Sequence, residues 1–564
     1  MLPGAVGSQP TRRRILECAL LGAAAVATNA WPIGAIELDE NGQPIVKAPA
    51  GTVRGRTERG IMTFKGIPYG APTGGDNRFQ PPKKTAPWVG IRDAGEFGPR
   101  ATQKLLDLEA VNSAPLKLAV GLCSPIADKF SEDCLRLNIW APTLRPGHRH
   151  PVMFWCHGQG FSGGSGDLPW LDGGNLARKH DVVVVSVNHR LNLFGFLYLG
   201  DIAGPEYADS GNVGMLDIVA ALRWVRDNIA PFGGDPDNVT IFGQSGGGAK
   251  VSVLLAMPVA KGLFHKAIVQ SGSLIRTLSR EEATHTTRQV LDELKIAPER
   301  VDELRQMSAE RLLQALESVR ESQHLDVVDR ERRFFNPVVD GRSLPRQPWD
   351  PTAPEVSAEV PLMVGTTADE GTLLAMVDPT LFSLDDATVR AQLKILGFSD
   401  AQLVKVVSAY RATRPTASPS DLFFAIAADR LFRMPAIASA ERKAEQGKAP
   451  VFMYLFAWNA PAFGGKYKAF HGLEQPFVFD NLDMAPGVWN SQRDPRCDQL
   501  ADIVSGAWAA FARAGNPNHR KLPHWGPYTV ERRDTLLFNY TCGQVSDPGR
   551  EDRLAMAGLL SSRL

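Results

Sequence analysis

VTIFGQSGGGAKVSVLLAMP, residues 239–258, sets one apolar run before a glycine-rich turn and another after it. The first run is short and rich in Val, Ile and Phe, the pattern of a strand. The second stops at Pro258, as helices stop before a proline. Ser245 therefore falls at a strand-to-helix turn, inside Gly243-Gln244-Ser245-Gly246-Gly247, which fits G-x-S-x-G. Such a turn is strained and brings backbones close, so glycines flank the serine. The helix starts at Ser245, and its unpaired N–H groups favour negative charge there. GFSGG at residues 160–164 fits the same pattern, but Ser162 is followed by GGSGDLPW, a glycine-rich loop with no helix. That loop, HGQGFSGG after the run VMFWC, suits a different role, that of offering backbone N–H groups to an oxyanion.

Working outward, PVMFWC (from Pro151), DVVVVSVNHR (from Asp181), NVTIFG (from Asn238), KAIVQSG (from Lys266) and PLMVGTT (from Pro361) are continuous apolar runs. Such runs suit strands buried on both faces, as in a parallel sheet. Helical patterns lie between them. GMLDIVAALRWVRDNIAPF puts Leu216, Ile218, Ala221, Leu222, Trp224 and Val225 on one stripe. Strands alternating with helices predict an α/β fold with a large, mostly parallel central sheet flanked by helices. Two blocks, near 278–330 and 383–448, are helical with little strand character. Ser279 and Ser308 are candidate caps in the first. Both blocks read as insertions over the active site within a single catalytic domain spanning 31–564.

The chain has 564 residues, 44% hydrophobic and 22% charged, enough for a large core. Lys+Arg is 62 against Asp+Glu 61, so no basic excess points to nucleic acid. Residues 1–30 contain Arg12, Arg13 and Arg14, then an Ala/Leu-rich run and small residues around Ala27 and Ala30. This is the layout of an export signal, of the twin-arginine type, and predicts a periplasmic or extracellular protein. No other run is long enough to span a membrane, so no stable span is expected in the mature protein. Export would permit disulfides. Cys123 and Cys134 are close in sequence, Cys156 reads as a buried small hydrophobe, and Cys497 and Cys542 are either paired or free. No CxxC or His-x3-His cluster supports a structural zinc.

These features together resemble a type-B carboxylesterase of the α/β-hydrolase family, the group that also contains cholinesterases. The resemblance is carried by GTVRG, FKGIPYGAP, SEDCLRLNIWAP, the block GNVGMLDIVAALRWVRDNIAPFGGDPDNVTIFGQSGGG, GTTADEG and FHGLEQPFVF. It implies Ser245 as nucleophile, His471 as base and Glu370 as the acid, with Asp369 the local competitor. It also implies backbone oxyanion donors at Gln159, Gly160 and Gly246, and a Cys123–Cys134 disulfide. A serine hydroxyl needs such a base, and the base needs such a carboxylate. Phe161, Trp170, Gln244 and Phe463 are candidate substrate contacts. The expected reaction is hydrolysis of a small-molecule carboxylic ester through an acyl-enzyme, with no cofactor or metal. An amidase or carbamate hydrolase using the same triad is the alternative, and a non-catalytic cholinesterase-like binding protein a further one.

Three positions depart from the family pattern. Gln159 stands where glycine is usual, and can donate its N–H only if the backbone tolerates a Cβ. Gln244 stands where glutamate is common, which removes a charge that would stabilise an imidazolium. Arg136 replaces an aromatic residue or threonine.

Overall fold

The computed structural model describes residues 37–104, 129–142, 148–322, 335–484 and 494–559. The expected export signal and Cys123 lie outside them. Eleven strands form the main sheet: β1 (Arg56–Glu58), β2 (Ile61–Pro68), β3 (Arg136–Pro142), β4 (His150–Cys156), β5 (Val183–Val187), β6 (Gly234–Gln244), β7 (Lys266–Gln270), β8 (Leu362–Thr367), β9 (Val451–Phe456), β10 (Asp534–Phe538) and β11 (Gly543–Ser546). Their spatial order is β1-β2-β3-β5-β4-β6-β7-β8-β9-β10-β11. The run from β5 to β10 is parallel. β1, β2, β3 and β11 pair antiparallel at the two ends, so the sheet is mixed.

The five apolar runs all lie in the parallel part. Every residue of β4, β5, β7 and β8 is buried. A strand can bury successive side chains only if both faces of the sheet are covered. Trp155 on β4 and Phe242 on β6 pack edge-on at 4.8 Å, and Phe479 closes the cluster on both rings.

The chain between β6 and β7 forms α2 (Gly246–Leu254), and α1 (Val213–Asn228) precedes β6. Between β7 and β8 lie α3 (Arg280–Leu294) and α4 (Ala309–Ser322). Ser279 caps α3 through a capping box with Glu282, and Ser308 Oγ accepts from the Arg311 N–H at 3.2 Å. Between β8 and β9 come α5 (Asp386–Ile395), α6 (Asp400–Thr413), α7 (Pro419–Ala428), a π-turn at Asp429–Arg433, and α8 (Met434–Gln446). α9 (Pro495–Ala514) precedes β10. No helix among the described residues is long and apolar enough to cross a membrane.

Register levels the strand ends. Cys156 on β4 pairs with Gly243 on β6, and Gln244 with Gln270 on β7. Gln270 in turn pairs with Gly365 on β8. The loops that follow these strands therefore leave the sheet along one edge. That edge, at the carboxyl ends of parallel strands, is where open α/β sheets build their sites.

Four cysteines lie among the described residues, all as free thiols. Cys134 is a free thiol, 1% exposed, just before β3. Burial, then the Asp217 charge, pushes this thiol well up, so it is protonated and packs as a small apolar group. The Cys123–Cys134 disulfide is not seen, and Cys123 falls outside the described residues. Cys497 and Cys542 are both free: the Cys497 sulfur lies 3.5 Å from the Tyr540 hydroxyl, while Cys542 donates to the Asn539 carbonyl. Cys156 is buried and free, as its apolar run predicts.

Candidate active site

β6 ends at Gln244, and α2 begins at Gly246. Ser245 joins them with φ 57° and ψ −125°, far from any ordinary conformation for a residue with a Cβ. Its N–H donates to the Gln270 carbonyl at 2.8 Å, which ties the turn to β7. From Val239 to Met257 every residue is buried except Ser245. Ser245 Oγ makes no hydrogen bond among the described residues.

His471 reaches this turn from the loop after β9. Its Nδ1–H donates to Glu370 Oε2 at 2.5 Å, across 101 positions in sequence. Glu370 is fully buried, and its other oxygen accepts from the Thr367 N–H at 2.8 Å. The carboxylate is thus held on both oxygens at the end of β8. Asp369, the competitor, points elsewhere. It exchanges hydrogen bonds with the Ala469 backbone and fastens the histidine loop. His471 Nε2 faces the Gln244 side-chain amide nitrogen at 3.2 Å. Gln244 Oε1 in turn accepts from Gln475 Nε2 at 3.1 Å. The imidazole therefore stands beside the residue preceding Ser245, with an amide rather than the serine hydroxyl on its outer nitrogen. Phe432, from the π-turn, covers the ring at 4.6 Å.

The glycine-rich loop after β4 lies against the same turn. Gly246 packs directly on Gly160, where an added Cβ would sit 2.4 Å from the Gly160 nitrogen. Gln159 and Gly160 both have positive φ, 64° and 57°. For Gln159 that left-handed conformation costs about 1–2 kcal/mol. The N–H groups of Gln159, Gly160 and Gly246 donate to no partner among the described residues.

The sequence profile of the carboxylesterase family matches residues 42–557. The chain belongs to that family. It is 39% identical over 510 residues to the para-nitrobenzyl esterase of Bacillus subtilis, covering 90% of this chain and 97% of that one. It is 34% identical over 523 residues to the phenmedipham hydrolase of Pseudarthrobacter oxydans, covering 92% and 99%. Among solved structures it is similar to the Geobacillus stearothermophilus carboxylesterase EST55, with a TM-score of 0.78 and 38% identity over 91% of this chain and 99% of that one. The fold is the α/β-hydrolase fold, and this carboxylesterase is a carboxylic ester hydrolase.

Of the candidate substrate contacts, Gln244 directly precedes Ser245 and faces His471. Phe161 is 3% exposed and packs its ring on Phe196 at 5.2 Å. Trp170 is mostly buried, and its carbonyl accepts from Asn481. Phe463 packs on Tyr467 at 5.8 Å. Arg136 pairs with Asp133. His148, His150 and Asp181 form a group with metal-ligand chemistry, at the start of β4 and the end of the sheet opposite Ser245. His150 Nδ1 lies 3.1 Å from the Asp181 carbonyl, so that nitrogen is engaged as a donor rather than open to a cation.

Two further features of this carboxylesterase lie close to the site. Glu474, three residues after His471, is fully buried, and its Oε1 accepts from Gln270 Nε2 at 3.1 Å. Gln270 Oε1 accepts from Trp508 Nε1 at 3.1 Å. A chain of polar groups thus runs from α9 through β7 to the histidine loop. The sequence signal for Glu474 is its place in FHGLEQPFVF, three residues after His471. The second feature is Lys250, a single charge in the short apolar helix α2.

Burial, with the Glu370 charge beside it, pushes the Glu474 carboxyl up to about 7. Below the ordinary value of 4.5 the folded and unfolded chains both hold this proton, and its contribution to stability is complete. Between there and about 7 only the folded chain keeps it. Stability is therefore lost as pH rises through that window, by about 3 kcal/mol in all. Glu474→Gln carries no charge at any pH and avoids this loss. The expected result is a denaturation midpoint that shifts in the variant's favour between about pH 5 and about pH 8. Parallel midpoints across that range would overturn it.

Proposed function

We propose that Ser245 is the nucleophile, His471 the general base and acid, and Glu370 the residue that orients His471. Ser245 Oγ attacks the ester carbonyl carbon while His471 Nε2 takes its proton. The tetrahedral oxyanion accepts hydrogen bonds from the N–H groups of Gln159, Gly160 and Gly246. The carbon–oxygen bond to the alcohol then breaks, and His471 returns the proton to the departing alcohol. Water, deprotonated by the same nitrogen, adds to the acyl carbon. Collapse releases the acid and restores Ser245. In the resting site the Gln244 amide must give way to the serine hydroxyl at His471 Nε2, an adjustment that substrate binding can drive.

The observation that carries this reading is the 2.5 Å Glu370–His471 contact beside the strained, partly exposed Ser245. A fluorophosphonate should label Ser245 and abolish turnover. The Bacillus relative is named for para-nitrobenzyl esters, so such an ester is the first substrate to try. Its turnover should exceed that of the matched anilide. Labelling at another residue would sink the triad assignment, and faster cleavage of the anilide would make the enzyme an amidase using the same triad. We also propose that residues 1–30 direct export through a twin-arginine route, leaving 31–564 as the mature enzyme in the periplasm or medium. N-terminal sequencing of protein recovered outside the cytoplasm tests this.

A further inference from the structure

Lys250 lies five positions after Ser245, on α2, with its side chain fully buried. A buried lysine needs acceptors for its ammonium hydrogens. Nζ donates to the His157 carbonyl at 3.0 Å and to the Gly160 carbonyl at 2.7 Å. It also stands 5.3 Å from the centre of the Phe161 ring, within cation–π range. All three partners belong to the glycine-rich loop after β4. The two carbonyls bracket Gln159 and Gly160, whose N–H groups are the proposed oxyanion donors.

The loop is pinned at several points. Gln159 and Gly160 are both left-handed, and Gln159 carries a Cβ that disfavours this conformation. The Gly163 N–H donates to the Gln159 carbonyl at 3.2 Å, the Asn192 N–H to the Phe161 carbonyl at 2.8 Å and the Gly164 N–H to Gln103 Oε1 at 2.8 Å, while Gly246 packs against Gly160. The ammonium adds a further support and joins the loop to the helix that carries the nucleophile. It also brings a positive charge to a dry site. Burial, then the Lys250 charge, holds His157 and His189 well below the ordinary imidazole range, so these stacked rings stay neutral. In a low-dielectric site a fixed cation acts strongly on charge that develops nearby.

We propose that Lys250 is a positioning residue for the oxyanion loop, and that its ammonium stabilises the negative charge present only in the tetrahedral intermediate. The proposal rests on the oxyanion assignment made above.

Lys250→Met keeps the length of the side chain without its donors or charge. Lys250→Gln keeps a donor without the charge. For a para-nitrophenyl ester, kcat of the Met variant should fall by about 100-fold, with KM changed by less than about 3-fold. The Gln variant should fall between the two. A trifluoromethyl ketone matched to the acyl group adds to Ser245 as a charged hemiketal. Its affinity should fall in step with kcat/KM. The corresponding unfluorinated ketone, which stays largely unadded, should bind the variants as it binds the wild type. A purely structural role would weaken both ketones or neither. If the wild type itself is not inhibited by the fluorinated ketone, the oxyanion reading fails. If the wild type is inhibited but both variants keep kcat and ketone affinity within about 3-fold, the Lys250 proposal fails alone. If neither variant gives a cooperative melt, Lys250 is a core residue and the proposal is overturned.

Discussion

Ser245→Ala should lower kcat for an ester by about 10⁶-fold while leaving the fold intact. The hydroxyl makes no hydrogen bond among the described residues, so its removal strands no partner. Alanine also keeps the Cβ and hence the backbone strain at φ 57°. His471→Ala should cost a similar factor. The double variant should be no worse than either single one, because each removes the same step. Ser245→Gly separates the two roles of this position. It should be as inactive as Ser245→Ala, yet more stable by about 1–3 kcal/mol, because glycine relieves the strained turn. Turnover of a para-nitrophenyl ester and thermal melts of the four variants provide the measurements. An active Ser245→Ala would remove the nucleophile from the scheme. A Ser245→Gly no more stable than alanine would show that the turn stores no strain.

Gly247→Ala should damage both activity and stability. An added Cβ would sit 2.0 Å from the Cys156 carbonyl oxygen and 3.0 Å from that of His157. Both atoms are backbone, at the end of β4 and the start of the oxyanion loop. No side chain can swing aside, so the loop and the serine turn must separate. Displaced donors cost about 10²–10³-fold in kcat. Overpacking of this kind costs about 1–3 kcal/mol in stability. Gly543→Ala is the control, since its Cβ would meet nothing within 4 Å. It should leave kcat and the melting midpoint unchanged. A Gly247→Ala enzyme with wild-type kcat and midpoint would show that the turn has more room than the structure allows.

What is readable in the sequence is mostly local. The strand–turn–helix around Ser245 occupies about twenty consecutive residues, so its geometry follows from its own pattern of apolar runs and glycines. The five central strands are readable because burial on both faces makes them continuously apolar. β1 and β11 are not, because short edge strands with one open face carry little pattern. His471 and Glu370 come from resemblance, since eleven histidines offer no local reason to choose one. Gln270, Glu474 and Trp508 meet across 204 and 238 positions, a contact that no window of sequence contains. Lys250 carries no signal of its own, because a lysine on a helix ordinarily faces water. Phe161 and Trp170, expected as pocket walls, are both largely buried. Their aromatic area is worth more in the core than at the surface.

The levelled strand ends have a consequence for how such an enzyme can change. Each reactive group is anchored within a few residues of a strand terminus or its following loop, while α3 to α8 hang between those anchors. Where that helical material leaves the edge untouched, lengthening or trimming it should alter access without re-aiming the serine. Where it meets the edge, at Phe432 on the His471 ring and at Phe424 against Gly371, exchange should change reactivity as well.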